Sequence, residues 1–217
     1  MKKIAVVLSG CGFLDGSEIT ESVSLLIALN QAGAKVSCFA PDIEFSATNH
    51  LNGNVTTEKR QLLSEAARIA RGDIKALSTL KTSDFDAVAF PGGFGAAKNL
   101  CNWAEKGAAC EVNPDVKRVV LEFHAASKPI GAICIAPVII AKVLGEHKVT
   151  VTVGDDQATI AEILKTGAQH EECPVDDYIT DRETKVVSTP AYMYGNAKPN
   201  EVFAGIFGLA HELVEWA

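Results

Sequence analysis

Short apolar runs, each stopped by a turn and followed by a stretch with helical spacing, constrain this chain more than any other feature. Ile4 to Leu8, Asp86 to Phe90 and Ile130 to Ile133 lack the polar–apolar alternation of a strand with one wet face. Strands of this kind are covered on both sides, the arrangement found in parallel sheets. Helical signals lie between them. From Asp15 to Ala32, Ile19, Val23, Leu26 and Ile27 recur at helical spacing, with Asp15 and Glu18 as a capping box and Gly33 as the stop. The next strand, Lys35 to Ala40, ends at Pro41.

Pro41 to Asn54 is rich in turn formers and polar residues and reads as a surface insertion, followed by a helix through Leu62, Leu63, Ala66, Ala67, Ile69 and Ala70. Asn113-Pro114 opens a helix that carries Val116, Val119, Val120 and Phe123 on one face. After Cys134 a helix runs to Leu144, then come a β-rich stretch from Lys148 to Val153 and a short helix near Ala158 to Leu164. A strand from Lys185 to Ser188 precedes a last helix, with Pro199 near its start and Phe203, Ile206, Ala210 and Leu213 facing inward. This order predicts an α/β fold: a doubly wound, mostly parallel sheet with helices on both faces. Residues 1–217 are expected to form a single domain with a surface insertion near 41–54. Such sheets place their sites at the carboxyl ends of the strands.

At 217 residues and 47% hydrophobic, the chain can bury one sizeable core. Its net charge of −7, with no run of Lys or Arg, weighs against nucleic acid and anionic membrane as partners. The apolar run after Lys2-Lys3 ends after five residues at Ser9-Gly10-Cys11-Gly12, so it reads as a core strand rather than a leader, and the expected location is cytoplasmic. No apolar stretch approaches the roughly 20 residues of a membrane span. Six cysteines with no CxxC spacing, and five histidines in no HxxxH or Cys/His cluster, read as free thiols with no metal site.

Three strand ends carry the chemistry: the loop after the first strand, Pro91-Gly92-Gly93-Phe94-Gly95, and Ala132-Ile133-Cys134-Ile135-Ala136-Pro137. A nucleophile elbow turns so tightly that the positions two before and two after the nucleophile must be small; here they are Ala132 and Ala136. A thiol at that point lies near a helix N-terminus, which favours thiolate, so Cys134 is expected to be reactive rather than a small buried hydrophobe. The glycine loop serves either as an ordinary turn or as backbone that approaches a ligand. In the second case the amides of Gly93 and Ile135 would bind the oxygen of a carbonyl attacked by Cys134. The loop does not fit the GxGxxG dinucleotide spacing. Glu21 heads an apolar row with Leu25, Ala28 and Ala32. It is either a buried general acid or base beside the thiol or, like Glu18, a complement to the helix dipole. His124 reads as a boundary residue, His147 as part of a turn, and His50, His170 and His211 as surface. Asp155 and Asp156 read as turn and N-cap, and Cys11 as a resolving thiol or a loop residue.

Ala34-Lys35-Val36, Phe90-Pro91-Gly92-Gly93 and Ala132-Ile133-Cys134, with Glu21 upstream, resemble the ThiJ/PfpI superfamily of class I glutamine-amidotransferase-like proteins. The resemblance implies a flavodoxin-like fold, a site without cofactor and a homodimer. It also implies a glutamate partner for the elbow cysteine, which falls on Glu21 when Ala32-Gly33-Ala34-Lys35-Val36 is the anchor. The implied activity is that of a glyoxalase acting on a small dicarbonyl, glyoxal or methylglyoxal, to give the hydroxy acid without glutathione, an activity that in part reflects deglycation of adducts. Ile135 stands where PfpI-like proteases carry a histidine, and Thr152 to Gly154 where related glyoxalases carry one. Ser188 to Tyr194 lacks the His and Glu of glutaminases. Peptide cleavage and glutamine hydrolysis are therefore rejected, and turnover is expected to be slow. The alternative is a regulatory protein whose Cys134 senses oxidants or electrophiles. A link to isoprenoid supply attaches to part of the superfamily by name, and no residue here carries it.

Overall fold

Ile4, Ala5, Val6, Val7 and Leu8 have no solvent exposure, which places the first strand at the centre of the sheet. In chain order, the computed structural model, which describes residues 1–217, contains β1 (Lys3–Val7), α1 (Ile19–Gln31), β2 (Lys35–Ala40), β3 (Glu44–Thr48), β4 (Val55–Gln61), α2 (Leu62–Ile69) and β5 (Ile74–Ala76). There follow β6 (Ala87–Phe90), α3 (Phe94–Lys98), α4 (Trp103–Lys106), α5 (Pro114–Ala125), β7 (Ile130–Ile133), α6 (Pro137–Leu144), β8 (Thr150–Val151) and α7 (Gln157–Lys165). The chain ends with β9 (Gln169–His170), β10 (Ile179–Asp181), β11 (Val186–Thr189) and α8 (Pro199–Trp216).

The main sheet has seven strands in the order β10-β11-β7-β6-β1-β2-β5. All neighbours are parallel except β10, which runs antiparallel to β11. The fold is α/β with a mostly parallel sheet, as the strand pattern predicts, and flavodoxin-like, as the resemblance implies. Helix α1 packs on α8 and α2, and α5 packs on α6; right-handed crossovers put these two groups on opposite faces. The chain winds one way from β1 to β2 and β5, and the other way from β6 to β7 and β11. The strand order therefore reverses between β1 and β6, and the crevice beyond their carboxyl ends is where such sheets bind ligands.

Three local expectations are corrected. Helix α1 begins at Ile19 rather than near Asp15, because the Asp15 carboxylate accepts the Thr48 N–H instead of capping. Glu18 is the cap and accepts the Glu21 N–H at 2.6 Å. The core face of α1 is Glu21, Leu25, Ala28 and Leu29, so the second apolar row, Ile19, Val23 and Ile27, points outward at 49%, 40% and 46% exposure. Both rows share the helical period, and only packing against α8 and the sheet decides between them. The stretch after Pro41 carries β3, which pairs with β4 as an antiparallel hairpin outside the main sheet. The polar Thr-Thr-Glu-Lys-Arg run of β4 lies largely exposed, which hid it from any search for apolar strands. On α8, Val202 and Leu209 join Ile206, Ala210 and Leu213 in the core, while Phe203 is only half-buried.

Candidate functional site

The chain leaves β7 through a turn at Cys134, whose φ of 62° lies in the left-handed region. Such a conformation costs a residue with a side chain roughly 1–3 kcal/mol and survives only where the surroundings fix it. Here the Cys134 N–H donates to the Thr189 carbonyl at 2.9 Å and the Ala136 N–H to that of Ile133 at 3.0 Å. Ala132 and Ala136 are fully buried on either side, as the elbow reading requires. Helix α6 begins at Pro137, so the sulfur stands just ahead of its first turn.

Glu21 reaches the same point from the first turn of α1 and has no solvent exposure. Its Oε2 accepts the Gly92 N–H at 3.0 Å and its Oε1 the Tyr192 N–H at 3.3 Å, and the Cys134 thiol lies beside the same carboxylate. The close approach depends on Gly92. A Cβ there would lie 2.4 Å from the Cys134 Cβ and 2.6 Å from Glu21 Oε2. Gly93, with φ of 89°, turns the chain so that its N–H and that of Ile135 both lie near the Cys134 sulfur and favour its anion.

Burial holds the Glu21 carboxyl up at about 8; the Glu18 charge adds to the rise, and the donors from Cys134, Tyr192 and Gly92 oppose it. Burial also pushes the Cys134 thiol well above its ordinary value, with the Glu21 charge as the next cause, against the pull of the Gly93 and Ile135 amides. The expectation that position alone would favour the thiolate is therefore corrected. The two amides do favour it, but desolvation outweighs them while both groups are buried. Near neutral pH the pair rests uncharged, and it yields its first proton as the pH rises through about 8.

Above the sulfur opens a cavity of about 440 Å³ whose lining includes Cys134, Gly93 and Ile135 along with Phe13, Phe94 and Met193. Glu18, Asp156 and Tyr192 also line it. No histidine does. Asp156 caps α7, its carboxylate accepting the Thr159 N–H at 2.7 Å. Thr152, where a histidine was sought, is buried with its hydroxyl accepting the Gly154 N–H at 3.1 Å. Cys11 does not line the cavity; the charges that act on it are Arg68, Glu65 and Asp15, so it is no neighbour of Cys134. His124 and His147 pack against each other in a tilted pair with ring centroids 4.6 Å apart, and His170 accepts the Val153 N–H at 3.1 Å. No group of three or more His, Cys, Asp or Glu side chains could hold a metal ion. Sequence reasoning brought together Cys134, Glu21, Gly93 and Ile135. It missed the cavity roles of Phe13, Glu18, Phe94 and Met193, which depend on how the loops fold over the sheet edge.

The family profile of the DJ-1/PfpI family matches residues 2–188. The chain belongs to the DJ-1/PfpI family. This family member is 45% identical over 224 residues to the human (Homo sapiens) mitochondrial glutamine amidotransferase-like class 1 domain-containing protein 3, covering 98% of this chain and 82% of that protein. It is 33% identical to the mitochondrial ES1 protein of Danio rerio, over 88% of this chain and 77% of that one. Among solved structures it superposes with a TM-score of 0.92 and 34% identity on an isoprenoid biosynthesis protein with amidotransferase-like domain from Ehrlichia chaffeensis, covering 99% of this chain and 100% of that one. Drosophila melanogaster DJ-1beta, at 18% identity and a TM-score of 0.56, shares the fold. No helix of this DJ-1/PfpI protein is long and apolar enough to cross a membrane.

The raised Glu21 carboxyl makes stability depend on pH. Its ordinary value is 4.5 and its folded value about 8, so the folded state holds a proton that the unfolded state has released between these values. The stability from the neutral acid is fully present below about 4.5 and is lost as the pH climbs through about 8. Denaturant midpoints should fall between pH 5 and pH 9 for the wild type, and Glu21→Gln should flatten that slope. An equal fall in both proteins would overturn the assignment.

Proposed function

We propose that this protein is a cofactor-independent glyoxalase that converts glyoxal or methylglyoxal to the hydroxy acid, with Cys134 as nucleophile and Glu21 as proton carrier. The observation that carries the reading is a sulfur at the floor of an open cavity, beside the amides of Gly93 and Ile135 and the buried Glu21 carboxyl.

The reactive form is the singly deprotonated pair in the tautomer where the remaining proton has passed from the Cys134 sulfur to Glu21, leaving the sulfur as thiolate. The thiolate adds to one aldehyde carbon of glyoxal, and the amides of Gly93 and Ile135 pass from the sulfur to the oxygen on the carbon it has bonded. Glu21 gives its proton to that oxygen, which leaves a hemithioacetal. As carboxylate it then removes the C–H proton from the same carbon and returns it to the neighbouring carbon, while the hydroxyl proton moves to the second oxygen. One carbon is oxidised to a thioester and the other reduced to an alcohol, with no external electron acceptor. Water cleaves the thioester, releasing glycolate and the thiol. With no histidine in the cavity, one carboxyl performs each proton transfer, which favours slow turnover.

Cys134→Ser should abolish glycolate formation, and Glu21→Gln should lower it by a factor on the order of 10² to 10⁴. For the wild type, kcat/KM should rise with pH and level off above about 8, where Glu21 titrates. Wild-type rates in Cys134→Ser, or a profile that falls over this range, would remove the mechanism.

The same sulfur environment favours a second reading, oxidant or electrophile sensing, because a protonated Glu21 and two amides can hydrogen-bond the oxygens of a sulfinate. Peptide mapping after mild peroxide should then find Cys134 modified ahead of the other five cysteines; equal modification of all six would eliminate it. A homodimer belongs to the primary reading, supported by the outward row of Ile19, Val23 and Ile27. Sedimentation velocity that detects only monomer at micromolar concentration would remove it. Within the family we place the chain nearest the enhancing lycopene biosynthesis proteins, on Ser9 to Glu18, Gly131 to Pro137 and Thr189 to Tyr192. The isoprenoid name of the Ehrlichia chaffeensis protein supports that placement. The mitochondrial names belong to the relatives, and the cytoplasmic location remains part of the proposal for this chain.

A further inference from the structure

We infer that the cavity selects carbonyl compounds bearing an uncharged apolar group of about the size of an aromatic ring and discriminates against anionic ones. The inference rests on Cys134 as the reacting group in the function proposed above.

Size is the first argument. Cavities of about 300–1,000 Å³ enclose molecules of drug-like dimensions, and the space above Cys134 is about 440 Å³. Glyoxal, with four heavy atoms, would leave most of it to water. The second argument is the wall. Phe13, Phe94, Ile135, Met193 and the body of Tyr192 line the space, and Phe13 and Phe94 stand at its rim with 46% exposure each. Large apolar side chains left that open beside a reactive sulfur gain from being covered, at about 25 cal/mol per Å² of apolar surface removed from water.

Charge is the third argument. The only charged side chains of the lining are Glu18 and Asp156, both acids. Lys98, a cation beside this wall, turns its ammonium to the Leu14 carbonyl at 2.8 Å and over the Phe94 ring at 5.3 Å, and does not line the cavity. A substrate carboxylate or phosphate would be desolvated with no cationic partner and would face two carboxylates, an arrangement that strongly disfavours it. Phe13 and Phe94 therefore act as specificity residues for a neutral apolar substituent, and Asp156 as a barrier to anions.

Two measurements separate this inference from the glyoxalase reading. In the first, phenylglyoxal, glyoxal and 4-carboxyphenylglyoxal are compared as substrates. Phenylglyoxal should exceed glyoxal in kcat/KM by about tenfold or more, and the carboxylated analogue should fall at least tenfold below phenylglyoxal. Phe94→Ala should bring the phenylglyoxal to glyoxal ratio towards one. In the second, which needs no turnover, the labelling rate of Cys134 is mapped at pH 9 for iodoacetamide, N-benzyliodoacetamide and iodoacetate, each normalised to its rate with glutathione. The order should be benzyl, then plain amide, then carboxylate, and Asp156→Asn, which keeps the helix cap, should narrow the gap to iodoacetate. If no dicarbonyl is turned over but the labelling order holds, the glyoxalase reading fails and the selectivity stands. Equal normalised labelling by all three reagents, or preference for the carboxylates, would overturn the selectivity whatever the turnover.

Discussion

The Glu21 carboxyl and the Cys134 thiol meet with no solvent between them, and that contact exists because Gly92 has no side chain. A methyl group at 92 would occupy space within 2.4 Å of one partner and 2.6 Å of the other. Three segments remote in sequence are thereby locked together: the first turn of α1, the loop after β6 and the turn after β7. The left-handed backbone of Cys134 is held by the same junction, through the Thr189 carbonyl at the end of β11. Three strand ends and a helix start thus converge on one sulfur, and the reversal of strand order between β1 and β6 is what makes room for them.

Electrostatics follows from that contact. Two buried acids in contact cannot both ionise without a large desolvation cost, so the pair sheds its protons in sequence. In the proposed mechanism the carboxyl takes the proton-holding role that an imidazole would otherwise fill, at a cost to folding, since a buried group is kept neutral until the pH nears 8. The two amides near the sulfur are fixed dipoles and need no reorganisation to receive charge. The resting thiol is therefore quiet, and what the site stores is the capacity to stabilise an anion once one proton has left.

Much of this was legible in the chain. Fully buried parallel strands announce themselves as unbroken apolar runs, and β1, β6 and β7 were found that way. Ala132 and Ala136 flanking Cys134 fixed the elbow, because sterics at a strand-to-helix turn tolerate little else. Where two answers share one period, the sequence could not choose: Ile19, Val23 and Ile27 fit α1 as well as Leu25, Ala28 and Leu29, and only α8 breaks the tie. Short or polar strands such as β4 and β5 carry no apolar signature. The sign of the Cys134 shift was hidden for a different reason: the dipole at a helix start can be read locally, whereas burial is a property of the whole fold. Glu18 was seen as a capping residue, which it is, and its place in the cavity wall depends on a loop contact that no local pattern encodes.

That loop contact ties chemistry to selectivity. The segment from Gly10 to Glu18 lies against Gly92 to Gly95 through main-chain bonds: the Glu18 N–H donates to the Gly92 carbonyl at 3.0 Å, the Gly95 N–H to that of Gly16 at 3.0 Å, and the Phe94 N–H to that of Phe13 at 2.7 Å. The approach is tight enough that a Cβ on Gly95 would lie 2.5 Å from the Gly16 Cα. Glycines here are spacers that let two backbones touch. The first bond of the set places the cap of α1 and so aims Glu21 at the sulfur; the last places the two rim phenylalanines side by side. One clasp of backbone therefore sets both the carboxyl beside the thiol and the apolar mouth above it. A change that loosened the clasp would disturb both together, because neither side chain has an independent means of finding its position.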